Sequence, residues 1–392
     1  MSPNPTAPKS LRIAVIGMRG LPPRYSGIES AAQYLYPSLA TAGHTVIVYS
    51  QRLTQRENRT FVANLSQEYT MGISHPSLET LSHSIGSVIS LLRERSVDVV
   101  HLHALAPAIV LPILKLLHYR TVVTIHGLDW RRKRWEGLGA WILRLAERIA
   151  VGMADELIVV SSELKDYFAV KYRRSTELIH NPAVSFTASA GELKRVTDKY
   201  DLLPQNYILY SGRLVPEKRI EDIIQAYSRL NTVTPLVIAG RGSHAYTARL
   251  HAAANGASNR VLITGFCTHD EILCLTSSAL ACVLASELEG FPMSALESLA
   301  LGVPIALSDI APHRELIADN HGYDLFFRVG SVAEIRDCLG KVITDREAYR
   351  QIALDIQRDV LTRFDLDTFV QKTERVLIRA ARGAFDVATP QE

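Results

Sequence analysis

One pattern dominates this 392-residue chain: short β-branched runs alternate with stretches of helical periodicity, and the alternation is played through once and then begun again. In the first pass "LRIAVIG" (11–17), "TVIVYS" (45–50), "VDVVHLH" (97–103), "RTVVTIHG" (120–127) and "DELIVVSS" (155–162) are bounded apolar runs of the kind that form buried strands. A helix is expected from about Ser30 to Gly43. Another is expected near 137–153, where Leu138, Trp141, Ile142, Leu145, Ile149 and Met153 recur at helical spacing. The second pass runs "YILYSG" (207–212), helix 217–230, "PLVIAG" (235–240), "RVLITG" (260–265), "ALACVLA" (279–285) and "VPIALS" (303–308), with helices near 244–254, 292–301 and 331–344. Between the passes, 182–206 carries no strong strand signal. Repeated β-loop-α units build parallel sheets with helices on both faces, and a chain this long exceeds one hydrophobic core. The expected fold is therefore α/β, two doubly wound, Rossmann-like domains. Ligands of such sheets bind beyond the carboxyl ends of the strands, so the two rims would face one another across a cleft.

Several function classes are excluded at this stage. The first βα turn, "VIGMRGLPP", has Gly17 and Gly20 without the G-x-G-x-x-G spacing, and the second strand ends in Ser50-Gln51-Arg52 with no carboxylate for a ribose, so a nicotinamide site is not expected. Cys267, Cys274, Cys282 and Cys338 match no zinc spacing and read as core thiols of a cytosolic protein. The apolar run "ALAPAIVLPILKLL" (104–117) is too short to span a bilayer. Residues 1–10 read as a disordered leader. Charge is uneven: residues 1–190 hold 21 Lys/Arg against 14 Asp/Glu, and the remainder 22 against 26. The basic first half suggests an anionic partner there, a phospholipid surface or a phosphorylated acceptor, although uneven scatter would give the same count. Nucleic acid is not an expected partner. Trp130, Trp135 and Trp141 beside Arg131, Arg132, Lys133 and Arg134 sharpen the idea of a peripheral, anionic membrane contact.

Three constellations carry chemistry. In the first, Arg19, Arg24 and Gly27 precede a helix N-terminus, and Gly27, lacking a Cβ, would admit a ligand close to the helix amides. In the second, "SGRLVPEKRIEDI" places Arg213 at a strand end and Lys218 at the following helix start, the unfavourable end for a cation by roughly 0.3–1 kcal/mol each. A bound anion would reverse that sign, and Glu217 and Asp222 would offer a purely internal neutralisation. The third is "ELEGFPMSALES" (287–298). Glu289 and Glu297 bracket Phe291, Pro292, Met293 and Ser294, where a helix begins and its first amides lack acceptors. Carboxylate, amides, carboxylate matches sugar, diphosphate, ribose; two glutamates near a helix start would also serve merely to favour that N-terminus.

Together "SGRLVPEK", "IAGRG", "EGFPMSALES" with its E-x7-E spacing, and the early glycine loop resemble the family-4 retaining glycosyltransferases of the GT-B fold, over about residues 11–380. "HGLDWRRKRW" and "PHRELIADNHGYDLFF" resemble a bacterial subgroup that builds surface polysaccharides. The resemblance implies an N-terminal acceptor-side domain at 11–185, a nucleotide-sugar-binding domain at 186–360 and a terminal helix within 361–385 that crosses back to the first. It implies that Arg213 and Lys218 hold the donor diphosphate, with the amides of Phe291–Ser294 nearby, and that Gly27 approaches it from the other domain. Glu297 would hold the ribose and Glu289 the sugar, with His126 beside the transferred sugar. No cofactor or metal is implied. The donor would be a nucleotide diphosphate sugar, UDP- or GDP-linked, the acceptor a glycan or lipid-linked acceptor, and the protein cytoplasmic with a peripheral place at the inner face of the membrane. A sugar-nucleotide 2-epimerase on the same fold, or a non-catalytic nucleotide-sugar-binding protein, are the rival readings.

Overall fold

A computed structural model describes residues 10–22, 27–51, 62–70, 72, 79–94, 96–132, 135, 137–317 and 322–383. Arg24, Lys133, Arg134 and the leader 1–9 lie outside them. Seven strands form the first sheet: β1 (Arg12–Ile16), β2 (Thr45–Gln51), β3 (Leu65–Thr70), β4 (Val99–His103), β5 (Thr121–Ile125), β6 (Glu156–Val159) and β7 (Glu177–Leu178), in the order β3-β2-β1-β4-β5-β6-β7. Six form the second: β8 (Ile208–Ser211), β9 (Leu236–Ala239), β10 (Val261–Gly265), β11 (Ala281–Leu284), β12 (Ile305–Ser308) and β13 (Phe326–Phe327), in the order β10-β9-β8-β11-β12-β13. Every pairing is parallel. The strand order reverses between β1 and β4 in one sheet and between β8 and β11 in the other, which puts a ligand crevice beyond each of those strand ends. The loops after β1, β8 and β11 carry Gly27, Arg213 with Lys218, and Glu289, so topology alone gathers the expected constellations.

Both domains follow the α/β expectation, with local departures. The helix expected over 217–230 begins only at Ile220: Pro216–Lys218 form a 3-10 turn, and Arg219 (φ 51) breaks it from helix Ile220–Tyr227. Lys218 therefore precedes the α-helix rather than starting it. Helix Met293–Ala300 begins one residue after Pro292, whose extended backbone (φ −80, ψ 99) ends the loop. The segment 182–206 contains helix Ala190–Lys199, started by a capping box in which Ser189 and Glu192 bond each other's backbone.

The terminal helix, Leu366–Arg382, lies on the first half. Val376, Leu377 and Ala380 are buried with Ile13, Val15, Leu35 and Leu39. Its polar side is pinned by Glu374 on His44 (2.8 Å) and by Arg379 on Glu156 (2.6 Å) and Glu177 (2.7 Å). At the junction of the halves His180, Phe291 and Phe364 form a mutual aromatic cluster with centroids 5.2–5.3 Å apart. Phe291 is thereby committed to packing, which leaves its backbone for any ligand. Among the described residues no helix is long and apolar enough to cross a membrane, and the four cysteines are free and buried.

Candidate active site

Two helix N-termini meet across the cleft. Helix Gly27–Thr41 starts at Gly27, and a Cβ there would come 2.7 Å from Met293 Cγ, in the first turn of helix Met293–Ala300. The absence of a side chain at Gly27 is what permits this approach. A second contact lies alongside: a Cβ on Gly290 would fall 1.8 Å from the carbonyl oxygen of His126. So His126, Gly127, Glu289 and Gly290 are neighbours although they come from different domains. The first-turn amides of both helices have no acceptor within their own helix, and they converge where an anion would be favoured.

Positive charge collects at the same place. Lys218 is largely buried and ion-paired with Glu289, which also accepts a bond from Ser286 Oγ (2.8 Å). Burial alone would raise the Glu289 carboxyl, but Lys218, His313 and these hydrogen bonds override it and hold the group down at about 2. Burial lowers the Lys218 ammonium; Glu289 opposes this, and the positive fields of Arg213 and Arg132 reinforce it. The internal neutralisation open at the sequence level takes another form. Asp222 engages Arg219 (2.6 Å), and the counter-charge of Lys218 is Glu289.

Glu297 differs sharply from Glu289. Its side chain is mostly buried one turn into helix Met293–Ala300, and the imidazole of His269 (Nε2 at 3.9 Å), itself lowered by burial, offers it little counter-charge. Burial pushes its carboxyl up from 4.5 to about 8. The phenol of Tyr34, on helix Gly27–Thr41 of the facing domain, is raised by burial and by Glu297 and Asp270, so it lies across the cleft within their influence. A buried carboxyl with so little compensation is expensive unless a ligand supplies hydroxyl donors.

His126 follows β5, with Nε2 bonded to His103 Nδ1 at 2.9 Å. Burial lowers it to about 4, against an upward pull from Asp129, so it is neutral at pH 7. Among the described residues of the basic Trp-rich segment, Arg131 and Trp141 are exposed. Trp130 donates to Glu147 (2.6 Å), Trp135 packs on Gly139, and Trp141 is 58% exposed. Arg132 turns inward after the short helix Asp129–Arg131, pairs with Asp129 (3.1 Å) and approaches Gly127. Its place in the cleft was not legible, because its neighbours in sequence are a run of surface cations. Among the described residues no group of three His, Cys, Asp or Glu could hold a metal.

Fold and site together define a class: two Rossmann-like domains whose facing helix N-termini and cations line the cleft between them. The family model described as Glycosyltransferase Family 4 matches residues 25–183, and that described as Glycosyl transferases group 1 matches residues 197–357. Between them they span most of the chain, which belongs to the glycosyltransferases of GT-B type. A glycogen synthase of Mycobacterium tuberculosis is 26% identical, the alignment covering 95% of this chain and 96% of that protein. The serotype-specific mannosyltransferase WbdA of Escherichia coli is 28% identical over 51% of this chain and 23% of its own length. Among solved structures, a sucrose-phosphate synthase from Thermosynechococcus elongatus superposes with a TM-score of 0.79 at 17% identity, covering 93% of this chain and 98% of that one. Anabaena HepE, solved in complex with UDP-glucose, gives 0.75 at 17%, covering 94% and 99%.

Proposed function

We propose that this glycosyltransferase moves a sugar from a nucleotide diphosphate sugar, UDP- or GDP-linked, to a glycan or lipid-linked acceptor with retention of anomeric configuration, in the synthesis of a surface polysaccharide. The observation that carries the proposal is the contrast between the two carboxyls that flank one helix start: Glu289 ionised and paired with Lys218, Glu297 buried with little compensation. In this reading the diphosphate lies between the helix ends at Gly27 and Met293, with Arg213 and Lys218 on its oxygens. Those cations meet the charge that grows on the departing diphosphate, usually a large catalytic term and one for which other enzymes recruit a divalent ion. Glu297 takes the ribose diol. Glu289, fixed by Lys218 and Ser286, accepts from sugar hydroxyls beside His126. HepE bound to UDP-glucose is the precedent for a uridine nucleotide.

Peripheral contact with an anionic membrane at the cytoplasmic face belongs to the same proposal, and the described residues offer a surface for it. Leu138 and Trp141 on helix Leu138–Met153 and Leu116 on the adjoining helix Leu111–Leu116 are exposed, with Arg144 and Arg148 on the former.

The test is a thermal-shift panel of UDP, GDP, ADP and CMP sugars. One nucleotide at 100 times its dissociation constant should add roughly 2.7 kcal/mol of stability. No shift from any of them would sink the proposal, and release of an epimerised sugar from the donor with no acceptor present, rather than its slow hydrolysis, would point to epimerisation.

A further inference from the structure

Beneath His126 lies a row of polar side chains where the sheet would ordinarily be apolar. His101 and His103 alternate along β4 and so share one face. Tyr36 reaches that face from helix Gly27–Thr41, and Thr124 from β5. All four are buried, and they are joined end to end. Thr124 Oγ1 lies 2.7 Å from His101 Nε2, and His101 Nδ1 lies 3.0 Å from the Tyr36 hydroxyl. The Tyr36 hydroxyl also bonds His103 Nε2, and His103 Nδ1 bonds His126 Nε2 at 2.9 Å. Thr124 and the three histidines line a small cavity shared with Asn181 and with Phe369 and Thr373 of the terminal helix. Packing alone would favour aliphatic residues here; four interior polar groups are tolerated because each satisfies the next.

The chain has a direction that proton counting decides. A neutral imidazole carries one N–H and one acceptor nitrogen, and a hydroxyl has a single proton. In one direction Thr124 donates to His101, His101 to Tyr36, Tyr36 to His103 and His103 to His126, so His126 carries its own proton on Nδ1. In the other direction every bond reverses and Thr124 becomes the terminal acceptor. Its hydroxyl proton is then buried with no other hydrogen-bond partner among the described residues. An unpaired buried donor is costly, so the first direction wins. The rings are neutral in either case, because burial lowers His101 to about 3 and His126 to about 4, and His103 well below its ordinary value. Asp129 is the charged group whose field reaches His126.

We infer that Thr124, His101, Tyr36 and His103 are positioning residues that hold His126 in its Nδ1–H tautomer, presenting a neutral hydrogen-bond donor to the cleft. Resting on the reading that His126 lies beside the transferred sugar, the consequence is that His126 donates to an oxygen of that sugar and does not act as a base. The substrate oxygen keeps its own proton and accepts one hydrogen bond.

The tautomer itself is measurable by nitrogen-15 spectroscopy of histidine-labelled full-length protein at pH 7, with the His126 signals assigned by their loss in His126→Gln. The expected result is protonation at Nδ1 only. Protonation at Nε2 overturns the inference. Thr124→Val removes the anchoring proton and should give a mixture of tautomers at His126, while Thr124→Ser should restore the single one. An unchanged His126 in Thr124→Val also overturns it. Tyr36→Phe cuts the chain and should lower kcat roughly tenfold, about the worth of one neutral hydrogen bond, with nucleotide affinity unchanged. If Tyr36→Phe does not fold, the two Thr124 variants carry the same kinetic comparison. A shifted tautomer with wild-type kcat would leave the chain standing and remove His126 from the sugar site.

Discussion

The two rims of the cleft treat buried polar groups in opposite ways. On the second-domain rim the groups are charged, Lys218 with Glu289 and Arg213 beside them, and Glu297 is a carboxyl that burial pushes up to about 8, poised to ionise. On the first-domain rim the interior groups are neutral: three histidines lowered by burial and a tyrosine raised by it. The difference has an electrostatic reason. A protonated His126 would add another cation next to Lys218, Arg213 and Arg132, whereas a neutral imidazole orients a substrate without changing the field. In the proposed reading, one rim supplies charge for a leaving group and the other supplies direction.

Breaking the charged rim should have the largest effect. Lys218→Ala leaves Glu289 buried without its counter-charge and should cost about 3–5 kcal/mol of stability by thermal or denaturant unfolding. Arg213→Ala leaves that pair intact and should lose about 1.5–3 kcal/mol of affinity for donor and free nucleoside diphosphate alike, with nucleoside affinity nearly unchanged. Wild-type binding of nucleoside diphosphate by both variants would show that these cations do not hold it.

The two carboxyls sharpen the comparison within one rim. Glu289→Ala should lower kcat on the order of 10²-fold, because sugar charge and shape change as the bond to phosphate breaks, while nucleotide affinity stays near normal. Glu297→Ala should instead raise KM and weaken nucleotide product, with less effect on kcat. Two active variants with small melting shifts would reduce both glutamates to helix starters.

Among the described residues, Arg132 extends from the neutral rim toward the charged one, where its field reaches Lys218. Arg132→Gln should weaken nucleoside diphosphate binding by about 0.5–1.5 kcal/mol. Arg131, which pairs with Glu163 and lies over the rings of Trp130 and Tyr167, should tolerate the same change. Equal affinities for the two variants would place Arg132 outside the donor site. Smallest in its effect on catalysis, replacing Leu116, Leu138 and Trp141 by glutamine should reduce binding to anionic vesicles at low salt and leave transfer to a soluble acceptor intact. Unaltered vesicle binding would remove that surface from the proposal.

How much of this was legible in the sequence follows the same division. The charged rim is carried by local motifs: a strand end, a few residues and a helix start, with spacing that can be read along the chain. Even there, the partner of Lys218 was hidden, because Glu289 is 71 residues away and only the β8-to-β11 adjacency brings them together. The neutral rim has no local signature. His101 and His103 look like isolated polar residues on a strand until Tyr36 and His126 are added from two other elements. Strand β3, "LSQEYT", is an edge strand with exposed positions and little apolar alternation, and β7 and β13 are only two residues long, so none stood out. The interior strands, buried on both faces, were plain from their apolar runs.

In the proposed reading Glu297 waits as a buried, protonated carboxyl that ionises on binding the ribose, and the pH dependence of donor affinity reports this step. Hydroxyl donors favour the ionised form, so binding must draw a proton off a carboxyl that titrates near 8 in the unliganded protein. Titrating a nucleotide diphosphate sugar, whose phosphate diesters do not titrate in this range, should show affinity rising with pH by up to about tenfold per unit between pH 6 and 8 and levelling above. Calorimetry in buffers of different ionisation enthalpy should record release of close to one proton near pH 7. Without ligand, stability should move the opposite way. The folded value lies above the unfolded one, so wild type loses stability as pH rises from about 4.5 through 8, and Glu297→Gln does not. Glu297→Gln should bind the donor weakly and with no pH slope. A wild type whose donor affinity is flat from pH 6 to 8, or a Glu297→Gln variant that retains both the affinity and the slope, would contradict the account.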